Sequence, residues 1–405
     1  MSVTIDKALD YIYANTKTKN SKIIPIEESL GFVLAQDVIA THNLPPFDNS
    51  AMDGYAIKIR DAEKELKISH TIFAGDSLDI ELREGECIKI MTGAIVPKGC
   101  DTVVPIENVI LLDNNTIKIE KKPKDGANIR KCAEDIKKES ILLKRGQRIF
   151  AHHITLFASQ GISHIKVFKR PRVAIFASGN ELKMHFESVE AHQLYNTNSL
   201  TFFSRAKELG CEVEFIGTAK DTLEDIKEHI ANALDSDLII TSGGVSVGDA
   251  DFTKEAFSSF GYEIFFDQVE IKPGKPTVFG RIKDTFILNL PGNPLAATLN
   301  FELFTKSILL ALSGDEDKYI GVIETKMKEE YIQKSKKNII APGYFDGTSF
   351  LLYKNISAGT IKPMSEANAY ILIGEDCQKI AKDDIVKIIP TRFSFNSKNK
   401  INLIN

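Results

Sequence analysis

Apolar residues change their spacing twice along the chain. Ile5, Leu9 and Ile12 recur at helical spacing, which predicts an amphipathic helix near the amino end. Between residues 21 and 138 the apolar residues fall instead in short runs broken by Gly, Pro and Asp, a pattern typical of a β-rich module. Short β-type runs return from Tyr319 onward, and they indicate a separate small β domain.

A strand-then-helix rhythm fills the middle of the chain, after a boundary at Arg170-Pro171. Strands are predicted at residues 172–177, 212–217 and 237–240, and helices at residues 197–209, 223–234 and 251–260. Further strands at residues 263–269 and 285–290 and a long helix at residues 295–312, which stops at Gly314, complete this part. The alternation predicts a doubly wound parallel sheet.

Composition and charge narrow the class of protein. The chain has 405 residues, 43% of them hydrophobic and 26% charged, which suits a soluble protein of several domains. A net charge of -4, without a basic run interleaved with aromatic residues, argues against nucleic-acid binding. The apolar stretches look too short to span a bilayer and the first residues lack a signal-peptide layout, so we expect a cytoplasmic protein without membrane contact. The cysteines are odd in number and never form a C-x-x-C pair, which predicts reduced thiols at Cys87, Cys100, Cys132, Cys211 and Cys377.

A glycine-rich turn follows the predicted strand at residues 237–240 and reads TSGGVSVGDADFTK. Consecutive glycines let backbone N–H groups converge on a phosphate or another oxyanion, and the following helix adds its positive end. Gly243 and Gly248 have the spacing of P-loop glycines, but Asp249-Ala250 stands where that motif needs Lys and Ser or Thr. The segment is therefore not a Walker NTPase loop. Asp249 or Asp251 suggests a bridging divalent cation, and ordinary acidic helix caps are the alternative.

Other loops that follow strands carry similar residues. Because ligands bind outside the carboxyl ends of strands in an open parallel sheet, we expect these loops to form one polar crevice. Carboxylates are predicted there at Glu181 and Asp221, and Lys272 and Lys275 offset their charge. Residues for close backbone approach or rigid turns are Ser178, Gly179, Ser242, Gly243, Gly244, Ser246, Gly248, Pro291, Gly292, Asn293 and Pro294. Taken singly, each has the alternative role of a turn former or cap. No G-x-G-x-x-G occurs, which makes a dinucleotide-binding enzyme a weak alternative.

The β-rich part contains a second unusual segment, LPPFDNSAMDGYA at residues 44–56. Two prolines stiffen its entry, and Asp48 and Asp53 lie five residues apart among turn formers. Further along come Thr92, followed by a glycine, and Arg130, followed by Glu134-Asp135. These residues add a hydroxyl, a cation able to bind anions, and more carboxylates.

Six segments, taken in order, resemble the molybdopterin molybdenumtransferase family, the molybdenum insertases that include the E domain of gephyrin. They read LPPFDNSAMDGYA, IMTGAIVPKGCDTVVPIE, SGNEL, TSGGVSVGDADFTK, IKPGKP and LPGNP, and the similarity covers about residues 1–315. Related pterin adenylyltransferases carry similar core segments. The first segment separates this chain from most of them.

The resemblance implies a multidomain α/β plus β fold. It implies a linking (dimerisation) domain at residues 1–44 and 139–170, a β-rich lid domain at 45–138, a three-layer, doubly wound α/β core at 171–317 and a C-terminal β-barrel at 318–405. It further implies a homodimer whose site lies between the core of one subunit and the lid of its partner.

The implied activity is insertion of molybdate into adenylylated molybdopterin, with Mg²⁺-dependent release of AMP. The implied functional positions are Asp53, Thr92, Asp135, Glu181, Asp221, Asp251, Pro291 and Pro294. Mg²⁺ is expected on Glu181, Asp249 or Asp251, while Thr92, Ser246 and backbone N–H groups are expected to hold molybdate. A contact with the adenylyltransferase that supplies the pterin is a further expectation.

Two alternative functions stay open from the sequence, the preceding pterin adenylyltransferase step and a non-catalytic scaffold that binds a pterin or an oxyanion. One departure from the family pattern concerns the lid. Ala133 stands where a glycine is expected before Glu134-Asp135, which predicts an altered turn and makes Asp135 the least secure of the transferred positions.

Overall fold

A computed structural model describes residues 2–18, 20–77, 79–243, 252–354 and 357–392. The helix predicted near the amino end is confirmed at Ile5–Asn15, where the Thr4 side chain accepts a hydrogen bond from the Lys7 amide and so caps the first turn. Ala8 and Ile12 on its apolar face are buried against the α/β core. The short strand Ser2–Val3 pairs with Gln268–Val269 of the same core.

The linking part is a small antiparallel assembly on one side of the core. Strand Ser21–Pro25 pairs with His164–Phe168, strand Val38–Ile39 pairs with Ile141–Leu143, and helix Ala151–Ser159 packs beside them. Leu34, Phe157 and Val167 lie in its buried centre. The side chain of Arg148 forms an ion pair with Asp315 at 2.7 Å, which ties this part to the end of the core.

The lid is a six-stranded sheet with apolar clusters on both faces. Residues alternate between the faces, as strands require: Cys87 packs into one cluster, and Ile88 and Ile90 pack into the other. In spatial order its strands are Thr102–Pro105, Gly54–Ile57, Glu86–Ile90, Glu65–Ile72, Thr116–Ile119 and Val109–Asp113. This sheet confirms the β-rich module predicted from the short apolar runs.

The core confirms the doubly wound sheet. Its six strands are β1 (Arg172–Ser178), β2 (Glu212–Ala219), β3 (Leu238–Ser242), β4 (Glu263–Phe266), β5 (Val278–Ile282) and β6 (Thr285–Leu290). They lie in the order β2-β1-β3-β6-β5-β4, and β2, β1, β3 and β6 run parallel. Strand β5, which the sequence did not predict, runs antiparallel to both of its neighbours because a tight turn at Lys283 returns the chain directly into β6.

Helices cover both faces of this sheet and make three layers. Helices Asn198–Glu208 and Ile5–Asn15 share one apolar cluster with a long helix that begins at Pro294. Helices Leu223–Ala233 and Phe252–Ser259 cover the other face through Ile226, Phe257 and their neighbours. The layers bury nearly continuous apolar strands, as expected for a parallel sheet with two covered faces.

The long helix spans Pro294–Leu312 and contains a π-helical turn at Phe301–Thr305. It ends at Gly314, whose φ of +77° lies in the left-handed region. By length and composition this helix is long and apolar enough to cross a membrane, so the expectation that every apolar stretch is too short is wrong. Because 83% of its apolar window is buried inside the protein, it is a core helix.

The C-terminal part is a closed five-stranded barrel, as the family resemblance implies. In spatial order its strands are Ile323–Met327, Ser349–Leu352, Ile339–Phe345, Ala369–Ile373 and Ile385–Pro390. Phe350 and Ile388 lie in its interior. The Ile340 amide donates a hydrogen bond to the Lys272 carbonyl at 3.0 Å, so the barrel pairs directly with a loop of the core.

Candidate functional site

Four parallel strands end at the same edge of the core sheet. The loops after β1, β3 and β6 lie side by side there and bring together Ser178, Ser242, Gly243 and residues 290–294, a group that we call the core cradle. Ser178 and Ser242 are the last residues of their strands and are buried. The loops that follow these strands therefore meet at one edge, and the polar crevice predicted there stays a prediction.

Gly243 allows these loops to approach closely. A Cβ atom added at this position would lie 2.7 Å from the Ser178 carbonyl oxygen, and the φ of +93° is one that residues with side chains rarely adopt. The Gly243 amide points back to the Leu290 carbonyl at 3.4 Å. The turn after β3 is thus fitted between the ends of β1 and β6, and a larger residue would push them apart.

Asn198 joins two loops of the core cradle, and sequence reasoning missed it. Its side-chain amide donates to Ser242 Oγ and to the Gly292 carbonyl, both at 2.7 Å, and the residue is buried. The Ser242 hydroxyl in turn donates to the Pro291 carbonyl at 3.3 Å. The sequence feature that could reveal it is the polar run Asn196 to Ser199, which by itself predicts only the start of a helix.

Glu181 and Asp221 lie at adjacent strand ends beside the core cradle. Asp221 Oδ2 accepts from the Asn180 amide and Asn180 Oδ1 accepts from the Asp221 amide, each at 3.2 Å, so the two loops hold each other. The Glu181 carboxylate folds over Gly179, because a Cβ atom added there would lie 2.9 Å from both of its oxygens. Glu181 is exposed and Asp221 is half-buried. Both carboxylates therefore remain available to a cation or a substrate.

Pro294 starts the long helix and Asn293 precedes it as the N-cap residue. This arrangement fixes the turn that carries Pro291 and Gly292, because proline is pre-organised for the first helical position. The helix adds the positive end of its dipole at this turn, although Pro294 has no N–H group and the Leu295 amide already donates to the Ala358 carbonyl at 3.0 Å.

Lys272 and Lys275 lie on a loop that packs against the same long helix. Asn300 donates to the Pro273 carbonyl at 3.3 Å, and Thr277 Oγ1 donates to the Gly274 carbonyl at 2.9 Å, so the loop is held firmly. Both lysine side chains are exposed. Lys272 also lines a cavity of about 580 Å³ between core and barrel, so its positive charge lies at that boundary.

The lid motifs, which are far apart in sequence, form one edge. We call residues 44–56, 91–94 and 128–135 the lid edge. The Gly93 amide donates to the Ser50 carbonyl at 2.8 Å, and the Ala51 amide donates to the Asn128 carbonyl at 2.9 Å. Strand Ile129–Arg130 pairs with Asn49–Ser50. The structure therefore joins all three segments that had been singled out separately.

Asp53 and Thr92 form a defined pair on the lid edge. Asp53 Oδ1 accepts from both the backbone amide and the hydroxyl of Thr92, each at 2.7 Å. These hydrogen bonds, the backbone one foremost, lower the pKa of Asp53 below its usual value. The carboxylate is exposed and stays ionised at neutral pH. Because the Thr92 hydroxyl donates its hydrogen bond to Asp53, the lone pairs of the Thr92 oxygen remain able to accept a hydrogen bond from another group.

Asp135 lies at the end of the lid edge, on a turn that keeps the conformation expected for glycine. Ala133 has a φ of +64°, in the left-handed region, and its amide donates to the Pro45 carbonyl at 3.0 Å. The Asp135 amide bonds to the Leu44 carbonyl at 3.1 Å. Asp48, which accepts from the Cys132 amide at 2.8 Å, fixes the other side of this turn. Ala133 therefore adopts a left-handed conformation that glycine would adopt with less strain, and the predicted alteration of the turn stays a prediction.

Part of the predicted site lies outside the described residues, namely Gly244, Ser246, Gly248, Asp249 and Asp251. Within the described ranges no group of three or more His, Cys, Asp or Glu side chains is placed to hold a metal ion. The hydrogen bonds given for the lid edge join its residues to one another, and those given for the core cradle join core residues to one another. The structure thus assembles two separate halves, the core cradle with its carboxylates and the lid edge.

Comparison with known proteins matches both halves. Residues 3–161 match a family model described as the MoeA N-terminal region (domain I and II), and residues 174–311 match a probable molybdopterin binding domain. A molybdopterin molybdenumtransferase of Haemophilus influenzae is 35% identical over 321 residues, which cover 78% of each chain. One of Staphylococcus epidermidis is 30% identical over 391 residues, covering 91% of this chain and 90% of that one.

A solved structure has the same architecture. A molybdopterin biosynthesis MoeA protein of Pyrococcus horikoshii superposes with a TM-score of 0.85 at 29% sequence identity. The superposition covers 97% of this chain and 100% of that one. The arrangement of parts described above is therefore shared along nearly the full length.

Proposed function

Because the chain belongs to the molybdopterin molybdenumtransferase family and is a transferase of molybdenum cofactor biosynthesis, we propose that it inserts molybdate into adenylylated molybdopterin and releases AMP. The proposal assigns the two halves of the site to different ligands. The core cradle takes the pterin phosphate, and the lid edge completes the site from the opposite side.

The core cradle suits a phosphate for three reasons. Gly243 and Gly292 present backbone without side chains, the helix beginning at Pro294 adds its positive end, and exposed Lys272 lies on a neighbouring loop. A phosphate oxygen can accept backbone N–H hydrogen bonds there without displacing a buried side chain.

The carboxylates at the strand ends fit Mg²⁺, which prefers oxygen ligands and retains several waters. Glu181 and Asp221 lie on loops that bond to each other, and Asp249 and Asp251 follow Gly243 in the chain. We propose Glu181 with Asp249 or Asp251 as the ligands. When bound, the ion would offset negative charge on the phosphoanhydride that is cleaved. Glu181 would keep its exposed carboxylate turned toward that bond.

On the lid edge, Asp53 would hold Thr92 in one orientation. The ionised Asp53 carboxylate fixes the Thr92 hydroxyl, whose lone pairs then accept a hydrogen bond from a protonated oxyanion or from the pterin. Thr92 would keep its hydroxyl proton, because Asp53 with its lowered pKa is too weak a base to remove it. Asp135 would extend the same acidic edge.

We further propose a homodimer in which the lid edge of one subunit covers the core cradle of the other. The observation that carries this proposal is the division of the site: each half is held together by its own hydrogen bonds, and the bonds described do not cross between them. A cytoplasmic location and a contact with the adenylyltransferase that delivers the substrate complete the proposal. Direct delivery would protect a reactive phosphoanhydride from hydrolysis.

Trans-complementation tests this arrangement. Asp53→Asn removes the lid function and Glu181→Gln removes the core function, and each variant alone should lose most molybdate-dependent AMP release. Co-expressing the two with different affinity tags isolates the heterodimer. It would contain one site with both halves intact and one with both halves altered, so about half of the wild-type activity should return.

A heterodimer as inactive as its parents would show that lid and core of the same chain form the site. If the two tagged chains do not copurify, the proposed homodimer does not form. Full AMP release by the Asp53→Asn or the Glu181→Gln variant alone would show that the substituted residue does not have the proposed role. ATP consumption in place of molybdate-dependent AMP release would point to the adenylyltransferase reaction, and binding without turnover would point to a scaffold.

A further inference from the structure

A second polar pocket lies where the chain crosses twice between the linking part and the core. Lys17, Thr18, Asn20 and Lys22 lie on the first crossing and residues 169–172 form the second. Together they line a cavity of about 550 Å³, which we call the junction pocket. The Lys169 amide donates to the Asn20 carbonyl at 3.0 Å and ties the crossings together. Cavities of this volume commonly hold small ligands.

The junction pocket is distinct from the core cradle. Arg172 at its wall is the first residue of β1, whereas Ser178 in the core cradle is the last. At about 3.3 Å per residue, the two sites lie roughly 20 Å apart at opposite ends of the strand. A ligand in one site therefore does not touch the other.

Positive charge dominates the described lining of this pocket. The basic side chains there are Lys17, Lys22, Lys169, Arg170 and Arg172, against the acidic Glu212, Asp237 and Asp284. One of the acids is already engaged, since Asp237 Oδ2 accepts from the Arg172 amide at 2.8 Å. In the part of the chain that the structure describes, Lys17, Lys22, Lys169 and Arg170 form no ion pair.

Arg170 and Lys22 are held in place by an aromatic ring, and Arg170 keeps a hydrogen-bond donor that has no partner among the described residues. The Arg170 guanidinium lies 4.4 Å and the Lys22 ammonium 4.9 Å from the centre of the same Phe32 ring, so cation–π contacts fix both side chains. Arg170 Nε is buried and has no hydrogen-bond partner among the described residues. A buried charged donor without a partner is costly, and an anion oxygen would satisfy it.

We propose that the junction pocket binds a phosphate-bearing small molecule. Two or more phosphoryl groups match the several cations at the two crossings, and a guanidinium binds phosphate through a planar, two-pronged contact. The ligand would bridge the linking part and the core, since each contributes cations. This site goes beyond the insertase reaction and does not depend on it.

The test measures binding of inorganic pyrophosphate to the full chain by isothermal titration calorimetry. Wild-type protein should bind with a Kd below about 1 mM, weakening as salt is raised. Arg170→Gln combined with Lys22→Gln should raise the Kd at least tenfold. The matched control, Lys121→Gln with Lys122→Gln, makes the same charge change on the lid surface and should leave the Kd within twofold. ADP in place of pyrophosphate tells whether a nucleoside adds affinity.

Three results would overturn the proposal. They are no binding by the wild type, an unchanged Kd in the Arg170 and Lys22 variant, and an equal loss in the lysine control, which would indicate general charge only. Loss of binding in a Gly243→Ala variant with retention in the Arg170 and Lys22 variant would assign pyrophosphate to the core cradle instead. If the Arg170→Gln, Lys22→Gln variant fails to fold, Lys17→Gln with Lys169→Gln replaces it, because both lysines are exposed residues of the same pocket. This second variant should also raise the Kd at least tenfold.

Discussion

Replacing Asn198 by alanine removes the side chain that joins two loops of the core cradle. The amide nitrogen donates to Ser242 Oγ and to the Gly292 carbonyl at 2.7 Å in both cases. The Ser242 hydroxyl would still donate to the Pro291 carbonyl at 3.3 Å. The change therefore loosens the turn LPGNP at the point where the long helix begins.

The magnitude follows from these two bonds. A typical intramolecular hydrogen bond contributes about 1 kcal/mol net, so the pair contributes about 2 kcal/mol. Gly292 is exposed and its carbonyl can turn to water, which keeps the loss near the lower end of the range for unsatisfied groups. For a core of roughly 150 residues, about 2 kcal/mol corresponds to a fall of about 4–8 °C in Tm. The looser turn should also raise KM for the adenylylated pterin more than it lowers kcat.

Differential scanning calorimetry and steady-state AMP release measure the two effects. Asn232→Ala is the matched control, because Asn232 is exposed on the helix Leu223–Ala233 and its replacement should shift Tm by less than about 1 °C. If Asn198→Ala behaves like this control in both Tm and KM, Asn198 does not position the core cradle. A lower Tm with unchanged KM would limit its role to stability.

Three further changes probe other parts of the chain. Ala133→Gly should stabilise the lid by about 0.5–1 kcal/mol in thermal unfolding, because glycine relieves the left-handed strain at a smaller entropic cost; a lower Tm would contradict this. Glu302→Ala should cost about 2 kcal/mol, since it removes the buried carboxylate that forms a two-pronged ion pair with the half-buried Arg205 guanidinium, which keeps Glu208 as a partner, and Arg205→Met with Glu302→Leu should recover most of the loss. Burial alone would raise the pKa of Asp346, but the Lys328 ammonium and nearby backbone amides outweigh it and lower that pKa. Asp346→Asn should therefore lower the free energy of unfolding by about 1–2 kcal/mol at pH 7, and this loss should shrink as the pH falls below about 4. Urea unfolding measures it, and equal losses at pH 7 and pH 3 would refute the prediction.

The sequence predicted those features that depend on local pattern. Alternating apolar runs and helical periodicity located most core strands, and position after a strand was enough to find Ser178, Asp221 and Gly243 at one edge. The strand β5 escaped because it forms a hairpin with β6 and has no helix before it. Its apolar residues follow a loop rich in Gly and Pro, which masked the start of the strand.

Features that depend on distant partners could not be predicted in this way. Asn198 acts through residues 44 and 94 positions away, and nothing in its own neighbourhood reveals them. The pairing of Thr92 with Asp53 crosses 39 positions in the same manner. The prediction that every apolar stretch is too short to span a membrane is wrong for the long helix, and only its burial in the folded protein, which no local pattern shows, identifies it as a core helix.

The helix Ile5–Asn15 has a consequence for synthesis of the protein on the ribosome. It is made first, yet its partners include Val269 and Ile308, and Tyr13 donates a hydrogen bond to Ser307 at 3.1 Å. At about 5–20 residues per second, the helix waits roughly 15–60 s with its apolar face uncovered while the intervening parts are made and fold. The core is thus completed only when residues up to about 312 have been made, and until then the apolar face of this helix is open to misassociation or chaperone capture.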